Sequence, residues 1–171
     1  MTTDPDTPEL LARIDDLLAR ERPYPQKEVV DGEGYGGPGY RVLELDVSGD
    51  FWDDEDGQAC ERAHDEADAR LEALAAVLTA RWGEPYDVDL WSYLVAGYGW
   101  DHPGRPSPVP LGLLSGKAVT LRVWPLPGAG ARWLGLAVGQ EDKELPVVLL
   151  AALADGPAPA PCAPPAGRRA L

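Results

Sequence analysis

Between residues 44 and 72 the chain holds twelve carboxylates and two arginines, and this stretch supplies ten of the fourteen excess negative charges in the 171-residue sequence. An ionised carboxylate is buried only when it is paired, and two arginines cannot answer twelve acids. Most of this segment therefore lies at the surface of any fold the chain adopts. Asp50, Asp53, Asp54, Glu55 and Asp56 stand almost consecutively and read as a loop. The charge continues as Glu61, Asp65, Asp68 and Glu72 along one side of a helix predicted over Gln58–Trp82. The other side of that helix carries Cys60, Ala63, Ala67, Leu71, Leu74 and Leu78, with Gly83 as the stop. A helix with one apolar face needs an apolar layer to lie on, which points to an α+β domain.

The remaining elements follow from periodicity and turn chemistry. Thr7, Pro8 and Glu9 open a helix over about 7–22, with Leu10, Leu11, Ile14, Leu17 and Leu18 on one face and Pro23 as its limit. Residues 23–39 read as loop, ending in the Gly-rich loop 31–39. Tyr40–Val47 alternates as a half-buried strand, and Tyr86–Val95 reads as a second. Residues 96–116 read as loop; Ala118–Trp124 and Arg132–Val138 form a hairpin; Pro146–Ala154 reads as a short helix closed by Gly156. The order α-β-α-β-β-β-α predicts a four-stranded, mostly antiparallel sheet packed with two or three helices. A single domain spans 1–156, and 157–171 is a Pro/Ala-rich tail expected to be disordered.

Alternation also predicts the two faces of that sheet. Leu43, Leu45, Val47, Val119, Leu121, Val123, Leu134, Leu136 and Val138 gather under the long helix. The opposite face collects Tyr40, Val42, Glu44, Asp46, Asp87, Asp89, Trp91, Tyr93, Arg122, Trp124 and Trp133, with Trp100 in a nearby loop. A one-residue slip in any strand would reverse its assignment.

Motifs with known chemistry fail on context. Gly32-x-Gly34-x-x-Gly37 has dinucleotide-binding spacing, but a loop precedes it and a strand follows, so no helix N-terminus meets a phosphate. Aligning Gly57 with the glycine of a calcium loop puts Trp52 and Ala63 where carboxylates are required. Cys60 and His64 are one helical turn apart among acids that disfavour a thiolate, and Cys162 and His102 lie in the tail and a Pro-rich loop. Core packing is the expected role of Cys60. No metal site, cofactor, catalytic triad or phosphate loop is predicted, nor any catalytic residue.

A block of anions repels phosphate and anionic lipid and attracts basic protein surfaces. Neither a nucleic-acid nor a membrane partner is expected. The N-terminal MTTDPDTPEL has acids where a leader peptide carries Lys or Arg, and cysteine usage suits a reducing compartment, so the expected location is cytoplasmic. The absence of Asn and the excess of Arg over Lys resemble a high-G+C bacterial proteome. The leading functional expectation is a non-enzymatic acidic protein that binds a basic protein partner, with an immunity- or antitoxin-like role as its sharpest form. Its candidate surface is Asp50, Asp53, Asp54, Glu55, Asp56, Trp91, Tyr93, Trp100, Trp124 and Trp133. The alternative is a small-molecule-binding protein or enzyme using the aromatic loop 93–105, including His102 and Arg105. A homodimer burying the Trp face is the third arrangement considered.

Overall fold

The computed structural model describes residues 6–97, 108–128 and 130–161. Its elements run α1 (Thr7–Ala19), β1 (Val29–Asp31), β2 (Gly34–Gly37), β3 (Tyr40–Val47), α2 (Gln58–Trp82), β4 (Tyr86–Asp89), α3 (Trp91–Gly97), α4 (Leu111–Leu114), β5 (Thr120–Pro125), β6 (Arg132–Gly139) and β7 (Val148–Asp155). The strands form one sheet in the order β1-β2-β3-β7-β6-β5-β4, and every neighbouring pair is antiparallel. Two meanders are thus joined side by side through β3 and β7, and α2 carries the chain from the third position to the far edge.

The expected four-stranded sheet is therefore wrong: it has seven strands, for two physical reasons. Val147 to Ala154 is a continuous apolar run, and without alternation a doubly buried strand and a buried helix look alike. The structure makes it β7, the central strand, with Val148 to Ala154 all buried between two layers. The second source is the Gly-rich stretch. Residues 29–37 form the β1–β2 hairpin, in which glycines at 34, 36 and 37 stand where strand formers are ordinarily expected. They are glycines for lack of room: a Cβ on Gly37 would lie 2.8 Å from the Tyr40 ring, and one on Gly36 would lie 3.0 Å from the Arg41 side chain.

Two boundaries also differ. The strand expected over 86–95 stops at Asp89, whose carboxylate accepts from Trp91 N–H at 2.9 Å and opens α3. Helix α1 is capped by Asp6, which accepts from Glu9 N–H at 3.1 Å, and ends when Arg20 turns extended.

One face of the sheet is covered by α1 and α2. Leu10, Ile14, Leu17, Leu71, Leu74 and Leu78 pack there on Leu43, Leu45, Trp124, Leu134, Leu136, Leu149, Ala151 and Leu153. The other face packs Tyr40, Val42, Leu121, Val123, Trp133, Leu150 and Ala152 with Leu90, Leu111 and Leu114 from the α3–α4 region, and Ala158 joins them. Strand β5 is reversed from expectation: Arg122 pairs with Leu136 and Trp124 with Leu134, so Trp124 faces the helices and Leu121 and Val123 face away. A bulge at Leu45 reverses the end of β3 as well, turning Asp46 to Arg70 of α2 at 2.9 Å and leaving Val47 46% exposed on the other side.

The hairpin turn gives a paired prediction. Gly34 has φ +148°, and a Cβ there would run into the Val42 carbonyl, whereas Gly32 has open space around it. Gly34→Ala should lower the unfolding free energy by more than about 1 kcal/mol, and Gly32→Ala should change it by less than about 1 kcal/mol in either direction. Urea titration of both variants measures this.

Candidate functional site

The acidic loop between β3 and α2 is pinned at several points. Ser48 N–H donates to Val147 O at 2.9 Å, and Val147 N–H returns a bond to the Ser48 hydroxyl at 2.9 Å. Phe51 N–H donates to Glu144 O at 2.9 Å, and its ring is buried against Ala67 and Val147. Asp54 then caps α2 from outside the helix, its carboxylate accepting from Ala59 N–H at 3.1 Å and Cys60 N–H at 2.9 Å. Those bonds, the Cys60 one foremost, hold the Asp54 carboxyl below the ordinary carboxylate value against partial desolvation. Asp56 accepts from Gln58 N–H at 3.1 Å.

Loop and helix hold most of their negative charge without ion pairs among the described residues. Of the twelve carboxylates in 44–72, three are ion-paired: Glu44 with Lys117 at 3.6 Å, Asp46 with Arg70 at 2.9 Å and Glu72 with Arg122 at 2.9 Å. The other nine have no ion pair among the described residues, and eight of them, all but Asp54, are exposed. In their midst Trp52, next to the buried Phe51, is 67% exposed. Trp52 is absent from the surface expected from the sequence, where it figures only as a mismatch to a calcium ligand. Its position beside an anchoring aromatic was visible in the sequence.

The other expected aromatics do not assemble. Trp124 is wholly buried on the helical face, and Trp133 is 3% exposed on the opposite one, so the two indoles share no surface. Trp91 is 59% exposed at the start of α3, beyond β4, which lies four strand positions from β3. Tyr93 is partly buried against the second face. Trp100, His102, Arg105 and most of the 93–105 loop lie outside the described residues.

Cys60 and His64 meet through a third residue. The Gln140 amide donates to Lys143 O at 3.2 Å and Leu145 O at 2.8 Å, which leaves its carbonyl to accept from His64 Nε2–H at 3.0 Å. Cys60 Sγ lies 3.6 Å from the same carbonyl. The imidazole and the thiol both meet the Gln140 amide, so this trio fastens α2 to the β6–β7 turn. Sequence reasoning missed Gln140, which is 76 residues from His64.

Two of the open clefts among the described residues hold clustered titratable side chains. One of about 600 Å³ runs between α2 and β5, lined by His64, Asp68 and Asp87, with Arg122 held between Glu72 at 2.9 Å and Asp87 at 3.5 Å. The other, of about 530 Å³, opens on the second face beside β1, with Tyr35, Glu44, Lys117 and Glu141 in its wall. The Tyr35 hydroxyl is buried with no hydrogen-bond partner among the described residues, and burial foremost, then Glu44, pushes its pKa up. Among the described residues no three His, Cys, Asp or Glu side chains converge on a metal position, and no helix is long and apolar enough to cross a membrane.

The Asp54 cap sets a pH dependence. Its folded pKa is depressed, so its contribution is complete above the unfolded value near 3.9 and is lost as pH falls through the lower folded value. Asp54→Asn should lower Tm at pH 7, and the gap from wild type should close below about pH 4. Asp53→Asn should leave Tm nearly unchanged; thermal melts across pH measure both. Comparison with protein-family models, with curated proteins and with solved structures returns no match.

Proposed function

We propose that this is a non-enzymatic, acidic partner-binding protein of the cytoplasm whose Asp50–Asp56 loop and adjoining α2 face capture a basic protein surface. The observation that carries the reading is the exposed Trp52 on a loop braced by Phe51, flanked in sequence by Asp50, Asp53, Glu55 and Asp56, which have no ion pair among the described residues. Such a surface divides the work of recognition. Uncompensated carboxylates steer a cationic partner into encounter and disfavour anionic ones. A Trp beside them supplies apolar area to desolvate at the centre of the contact. Because the loop is already fixed by its bonds to Val147 and Glu144, little ordering entropy is lost on binding.

An immunity- or antitoxin-like role, in which the acidic face occludes a basic toxin or nuclease, fits this chemistry most closely. The candidate surface narrows to Asp50, Trp52, Asp53, Glu55 and Asp56, with Asp54 as the residue that shapes the loop. Trp124 and Trp133 belong to the core.

Wild-type protein and a triple variant, Asp53→Asn, Glu55→Gln and Asp56→Asn, would be used as bait in cell extract at 50 and 500 mM salt (concentrations of the order that spans weak to strong screening). A basic partner should be retained by wild type at low salt and lost at high salt. The triple variant and Trp52→Ala should each reduce retention at least about tenfold. Equal capture by wild type and the triple variant would overturn the reading.

A further inference from the structure

Strand β1 ends the sheet, and nothing among the described residues pairs with its outer side. Exposed edge strands are ordinarily blunted by charge, proline or a covering element, because their free N–H and C=O groups template another chain. The far edge follows that practice with Asp87 and Asp89 on β4. The β1 edge is three residues long and its one charge, Asp31, is turned to Arg41 at 2.8 Å, while its middle residue, Val30, is 86% exposed, the highest value of any large apolar side chain described.

The hairpin decides which backbone groups are free. Glu44 N–H donates to Glu33 O at 2.8 Å, so Glu33 and, by alternation, Tyr35 direct their backbone groups toward β3. Gly34 and Gly36 then bond across to Asp31 and Val29, their register partners. Val30, opposite Tyr35, is left with its N–H and C=O pointing outward.

The side chains beside this edge carry a chemical preference. Val30 and Tyr35 share the second face of the sheet and line the 530 Å³ cleft, together with Glu28, Glu44, Lys117 and Glu141. Glu44 is answered by Lys117 at 3.6 Å. Glu28 and Glu141 have no ion pair among the described residues. A strand laid along β1 would send alternate side chains over Val30 toward these carboxylates.

From the edge and the cleft together, we infer that β1 is a strand-addition site for an extended basic segment of a partner polypeptide. The segment's backbone bonds to Val30, and a Lys or Arg side chain enters the cleft between Glu28 and Glu141. Main-chain pairing supplies affinity and the acidic cleft supplies the choice of side chain. The inference does not use the Asp50–Asp56 loop and stands apart from it.

The test uses the full chain and three pools of octapeptides: Lys or Arg alternating with Val, Ile or Thr; the same pool N-methylated at alternate residues; and a pool with Glu in place of the cations. Amide hydrogen exchange and titration calorimetry are the readouts. The basic pool should bind, slow exchange at Val30 at least tenfold, and lose at least tenfold in affinity on N-methylation. The Glu pool should not bind. Glu28→Gln with Glu141→Gln should weaken the basic pool, and the triple variant of the acidic loop should leave it unchanged. Unaltered exchange at Val30, equal binding of the N-methylated pool, or Val30 protection that comes from concentration-dependent self-association would each overturn the inference.

Discussion

The structure depends on the pairing of β3 with β7. Each strand belongs to a different meander, and the ladder from Tyr40↔Ala154 to Val47↔Val148 turns two small sheets into one. Because β7 is then central, its side chains are buried on both faces. Leu149, Ala151 and Leu153 face the helices, and Val148, Leu150, Ala152 and Ala154 face away. Three alanines at this place let both layers approach closely, while the leucines fill the space beneath α1 and α2. Without that strand neither apolar layer would have a floor.

The same pairing places the charge. Helix α2 must cross from β3 to the opposite edge, which lays its apolar stripe over β6 and β5 and leaves its acids outward. The connecting loop starts where β3 ends beside the start of β7, so Ser48 and Phe51 bond to Val147 and Glu144 just ahead of β7. The most anionic segment of the chain is thus among its better anchored loops. The proposed recognition role rests on this fixity; the same charge on a mobile tail would chiefly confer solubility.

Much of this was legible in the residues. The stripe Ala67, Leu71, Leu74 and Leu78 specified α2 over Gln58–Trp82, and alternation specified β3 and the β5–β6 hairpin. The central strand was not legible, because an uninterrupted apolar run carries no period. The β1–β2 hairpin was hidden by glycines whose purpose is to admit Tyr40 and Arg41. Arg41 shows the point well: it is 4% exposed and bonded to Asp31 at 2.8 Å and Glu33 at 3.2 Å, a buried cation satisfied by the turn of that hairpin. The acidic candidate residues were read from composition, since charge density needs no tertiary information. The Trp residues were assigned to one face by alternation, and register within β5 sent them to opposite faces.

The sequence alone determined that most carboxylates of residues 50–72 face water, that one long helix covers an apolar layer, and that the domain mixes helix with antiparallel strands. Local chemistry suffices there: unpaired carboxylates resist burial, and helical and strand periods differ. Tertiary structure alone decided the number of strands, the partner of β3, the reversal of β5 and the open edge at β1. Those depend on which backbone meets which across more than a hundred residues, as Tyr40 meets Ala154, and on bulges and registers that leave no local trace.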